Sequence, residues 1–65
     1  MHNSENVQVG AKVLILEPAY VAGKTGVVRC PEQLADGRLS DRWLIEVDDE
    51  NIVVSLARNE FQVIN

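Results

Sequence analysis

In five short stretches of this chain the apolar residues take every second place, and that period of two is the mark of a strand with one buried face. Val7, Val9, Ala11, Val13 and Ile15 alternate between Val7 and Leu16, with Gly10 suggesting a bulge inside the run. Pro18 ends that strand, because proline offers no ladder donor and holds Glu17 extended. Thr25 to Arg29 reads as a second strand, closed by Cys30 and Pro31. Trp43, Ile45 and Val47 form a third, Ile52, Val54 and Leu56 a fourth, and Phe61 to Ile64 a fifth. Nowhere is there a helical segment long enough for a crossover, so the strands are expected to pair as a strongly bent meander closed as a barrel. The segment Leu56 to Glu60 suits a single 3₁₀ turn before the last strand.

Polar segments separate the strands. Pro18 to Lys24 is a loop, and Pro31 to Arg42 is the longest polar stretch, expected to be a loop with a helical turn around Glu32 to Ala35 and a turn signal at Asp36 and Gly37. Asp48 to Asn51 is short enough to join strands three and four as a hairpin. Residues 1–6 read as a flexible tail and 7–65 as one domain. The core predicted from this phasing is Val13, Ile15, Val27, Trp43 or its neighbour, Ile45, Val47, Ile52, Val54, Phe61 and Val63, which leaves Leu14, Leu16, Leu44 and Val53 outward.

A chain of 65 residues buries little core, yet 46% apolar against 25% charged residues favours folding over disorder. The single Cys30 has no disulfide partner, and with one distant His2 it cannot build a zinc site, so no staple holds the domain. Six Lys and Arg face ten Asp and Glu, a net charge of −4 that repels a polyphosphate partner as a whole. No basic leader with an apolar stretch opens the chain and no apolar run approaches spanning length, so a cytoplasmic location is expected.

The opening V-Q-V-G-A-K-V-L-I-L-E-P-A-Y, Val7 to Tyr20, resembles the first strand and loop of the photosystem I subunit IV (PsaE) family. Gly26, Val27 and Val28 are placed like the start of its second strand, and N-E-F-Q-V-I, Asn59 to Ile64, is similar to its last turn and strand. Gly23 to Val28 also resembles the glycine-centred core of KOW domains. Both resemblances imply a five-stranded SH3-like barrel. The first implies an accessory subunit at an electron-transfer complex that assists ferredoxin docking through basic residues. The second implies contact with RNA or a ribosomal partner, for which Lys12, Lys24 and Arg29 are the available cations.

Gly23, Lys24 and Thr25 spell the end of a phosphate-binding loop, but Pro18 stands where its first glycine belongs, so a β-turn is the reading. Asp48, Asp49 and Glu50 lack the spaced, glycine-containing pattern of a cation loop and read as a solvated hairpin tip. Cys30 lies beside Arg29 without an identifiable base and reads as a structural, partly buried thiol. Trp43 is assigned to the core, being the only tryptophan of a small domain. No catalytic residue, cofactor or metal ligand is expected. The expected function is a protein-protein adaptor that docks through Tyr20 and a loop containing Leu34, Arg38, Leu39 and Arg42.

Overall fold

The computed structural model describes residues 7–64; the expected tail at 1–6, which includes His2, lies outside them, as does residue 65. Five antiparallel strands, β1 (Lys12–Ile15), β2 (Thr25–Gln33), β3 (Leu39–Val47), β4 (Ile52–Ala57) and β5 (Phe61–Val63), form one sheet in the order β4-β3-β2-β1-β5. A 3₁₀ turn, Arg58–Glu60, joins the two outermost strands. In a flat sheet β4 and β5 would stand about 19 Å apart, at about 4.8 Å per step. The chain from Ala57 to Phe61 reaches about 14 Å even when fully extended. The sheet must therefore bend, and it does so around a single core. Among the described residues no ladder joins β4 to β5, so this curled all-β sheet is not closed by hydrogen bonds.

Register explains which side chains enter the core. One inward row runs Val63, Val13, Gly26, Val47 and Ile52, the next Val28, Ile45 and Val54, and a third Pro31, Trp43 and Leu56. Phe61 faces Ile15 at the other end, and both are fully buried. Burying each such side chain contributes about 1.5–3 kcal/mol. Trp43 packs against the cluster from its margin. Gly26 is required in its row, since a Cβ there would lie 2.7 Å from the Glu46 carbonyl oxygen and 2.8 Å from Ile45 Cγ2.

Several expectations shift by a residue or more. β1 starts at Lys12, not Val7, because Gly10 turns the chain at φ 92° while donating to the Val28 carbonyl at 2.8 Å. Val9 is thereby exposed, and Val7 folds back into the core. On β2 the inward residue is Val28 rather than Val27, which pairs with Lys12 and Glu46 on the outer face. Two adjacent valines carry no phase of their own; inward-facing Gly26 sets it. Ile52, expected inside, sits at the start of its strand and is 39% exposed. Val21 enters the core from the β1–β2 loop, where its N–H donates to the Pro18 carbonyl at 3.0 Å.

The largest correction concerns residues 31–42. They contain no helical turn: β2 continues to Gln33 and β3 already begins at Leu39, so a hairpin replaces the expected loop. Pro31 survives in a strand because β1 pairs with β2 only up to Val27 in the ladder, leaving the far side of Pro31 without a strand neighbour.

Candidate functional site

Past Val28 on β2 and before Arg42 on β3 neither strand has its outer neighbour, so the β2–β3 hairpin runs beyond the sheet as a two-stranded arm. Its tip follows a three-residue hairpin pattern, in which a type I turn is closed by a residue with positive φ. Gly37 supplies that residue at φ 89° and donates to the Leu34 carbonyl at 2.9 Å, and Leu34 in turn donates to the Arg38 carbonyl at 2.7 Å. Asp36 completes the turn. Its carboxylate accepts from the Arg38 backbone N–H at 3.1 Å and from Arg38 Nε at 2.9 Å.

Three of the five expected contact residues, Leu34, Arg38 and Leu39, meet at this tip. Together with Ser40 and Asp41 they line a shallow depression of about 400 Å³. Leu39 is 65% exposed and Leu34 is 44% exposed, so neither serves the core. Ser40 and Asp41 carried no sequence signal beyond lying between Leu39 and Arg42.

Arg42 is engaged elsewhere. Its Nε donates to Ser55 Oγ at 3.0 Å, and one terminal nitrogen donates to the Ser55 carbonyl at 2.8 Å and to Glu60 Oε1 at 3.3 Å. Glu32 accepts from Ser55 Oγ at 2.8 Å, which ties the arm's other strand to β4 as well. Arg42 thus braces the arm's base. Tyr20 is 69% exposed in the connection that precedes β2, whereas the tip follows the end of β2. The two lie at opposite ends of a nine-residue strand, about 25 Å long, so they do not form one site.

The opposite end of β3 has a different character. Asp49 and Asn51 adopt φ 67° and 55°, a region that Asp and Asn tolerate better than most residues. Asp48 accepts from Lys12 Nζ at 2.6 Å and from Thr25 Oγ1 at 2.7 Å, and Lys12's hydrogen bond first, then Thr25's, holds its carboxyl below the ordinary aspartate range. Lys24 reaches Glu50 at 3.0 Å. The turn is exposed at Asp49, Glu50 and Asn51, as a solvated tip would be, while Asp48 ties it to Lys12 and Thr25, and Glu50 ties it to Lys24. The third cation of that trio, Arg29, pairs with Glu46 at 3.3 Å.

Cys30 is exposed, contrary to the partly buried thiol expected. A register shift between Val28 and Cys30 makes Arg29 the extra residue and turns Cys30 to the outer face opposite Leu44. Leu14 and Leu44 are half-buried on that face, while Leu16 and Val53 are exposed. Among the described residues no group of three or more His, Cys, Asp or Glu is arranged to hold a metal ion, and no helix is long and apolar enough to cross a membrane. Comparison of the chain with models of known protein families, with curated proteins and with solved structures finds no match.

Proposed function

We propose that this domain is a non-catalytic protein-protein interaction module of SH3-like shape, an adaptor or accessory subunit that docks through the tip of its β2–β3 arm. The observation that carries this reading is the pair Leu34 and Leu39, exposed at the end of an arm that contributes neither of them to the core. Exposed apolar residues that lie together are the kind of patch that marks an interaction site, where scattered ones need no explanation. The arm is also held in a fixed direction by Arg42 and Glu32, which limits the ordering that docking would require.

The reading as an RNA or ribosome-binding domain has less support. Lys12, Lys24 and Arg29, the cations it would use, are each engaged by a carboxylate of the chain itself. Binding a polyphosphate there would mean displacing Asp48, Glu50 and Glu46. The ferredoxin-docking role implied by the PsaE resemblance has less support too, since it would use basic residues and Arg38, the cation at the tip, is engaged by Asp36.

Immobilised domain and the double variant Leu34→Ser/Leu39→Ser, each checked for folding by circular dichroism, should be compared on extract of the source cell. A protein retained by the first and lost from the second is the expected result. Identical sets of retained proteins would overturn the assignment, and loss on Tyr20→Ala alone would move the contact to the other end of β2.

A further inference from the structure

We infer that the arm-tip depression takes a basic side chain, a lysine or arginine flanked by apolar residues, presented by the partner polypeptide. This rests on the docking role proposed above and adds the chemistry of what docks. Among the described residues no Lys or Arg is spare: five of the six pair with carboxylates, and the sixth, Arg58, lies over the Phe61 ring at 5.1 Å and donates to the Phe61 carbonyl. The spare charges there are anionic. Among the described residues Glu17, Asp41 and Asp49 have no ion-pair or hydrogen-bond partner for their side chains.

Of these three carboxylates, Asp41 alone lines the depression with Leu34 and Leu39. Arg38 stands there too, but Asp36 holds its guanidinium at 2.9 Å, so the uncompensated charge at the tip is that of Asp41. Exposed leucines beside an unpaired carboxylate match a side chain with an aliphatic stem and a cationic head, which can lay one on leucine and bring the other to the oxygen. An acidic side chain would meet Asp41 as a like charge and would have to draw Arg38 away from Asp36. Overall charge acts in the same sense, since −4 on so small a domain attracts a basic segment from a distance.

The probe is a capped heptapeptide, Gly-Ser-Leu-Lys-Leu-Ser-Gly, titrated into the full chain while the Leu34 and Leu39 methyl signals are followed by NMR. Saturable shifts confined to the tip are expected, with affinity falling as salt is raised. Asp41→Asn should weaken binding about two- to fivefold, the range of one exposed ion pair. A control peptide with Glu in place of Lys should bind less well. Equal or tighter binding of the Glu peptide would overturn the inference in favour of an acidic partner held by Arg38. Unchanged affinity in Asp41→Asn would remove the charge argument while leaving an apolar contact, and no shift at the tip with either peptide would also overturn it. Failure of the docking role itself is read separately, from the retained proteins compared above.

Discussion

The two tips at opposite ends of β3 are built from opposite materials. At one end, Asp48 to Asn51 turns back under ties to three residues of other strands and loops: Lys12, Lys24 and Thr25. At the other, Leu34 to Arg38 turns on local bonds, with Gly37, Asp36 and the side chain of Gln33 as its devices, and presents leucines to solvent. The charged tip sits against the core row of Val47 and Gly26, and two of its carboxylates, Asp48 and Glu50, are paired within the molecule. The apolar tip sits past the core. The end whose side chains tie strands together is thus distinct from the end that leaves leucines exposed.

That separation can be broken most sharply by paired truncations. Ile45→Ala, in the core near the charged end, should cost about 2–5 kcal/mol, whereas Leu39→Ala on the arm should change stability by no more than about 0.5 kcal/mol, both read from urea unfolding. Comparable losses would show that the arm is part of the core after all. Gly26→Ala is next in size at about 1–3 kcal/mol, since its new methyl would press on the backbone oxygen of Glu46, which cannot rotate away.

Asp48→Asn should lower the melting temperature at neutral pH by less than Gly26→Ala does, because Asp48 and Lys12 remain partly solvated. The sign of its pH dependence follows from the lowered pKa of Asp48. Its contribution is full above the unfolded value of about 4 and is lost as pH falls through the depressed folded value. Melting curves of the two proteins should therefore converge on acidification. A gap that persists at low pH would mean that the variant acts through packing instead. An effect as small as that of Leu39→Ala, within about 0.5 kcal/mol, is expected from replacing Leu34 to Arg38 by an Asn-Gly turn, because shortening a surface connection changes closure entropy little. Unfolding of that variant would end the contrast between the tips.

How far the residues alone foretell this arrangement differs along the chain. Strands β3 to β5, their hairpin turn and the 3₁₀ turn are legible because Trp43, Ile45 and Val47, then Val54 and Leu56, alternate without interruption. The phase of β2 is not legible, since Val27 and Val28 are chemically alike and the choice between them belongs to Gly26, whose need for space appears only when β3 is beside it. The arm was hidden for another reason. Pro31, Gly37 and a run of polar residues speak for a loop, and a two-stranded ribbon with both faces in water has no apolar period to reveal it. Three of the candidate contacts nonetheless converged, because Leu34, Arg38 and Leu39 are local in sequence and any tight turn brings them together. Tyr20 depended on the long segment folding back over the sheet. Arg42 depended on partners, Ser55 and Glu60, whose proximity no spacing announces.

The brace made by Arg42 and Glu60 has a meaning for life in a crowded solution. β4 is an outermost strand, and its sequence Ile52–Ala57 has neither charge nor proline to discourage a stray polypeptide from annealing alongside it. Ser55 and Ala57, two residues apart, aim their main-chain groups to the same flank. There the guanidinium already fills the Ser55 oxygen and the carboxylate already fills the Ala57 nitrogen, the latter at 2.8 Å. A newcomer finds those two docking points taken by side chains of the host, so at Ser55 and Ala57 the border of this sheet is occupied by two charges that the strand itself does not carry.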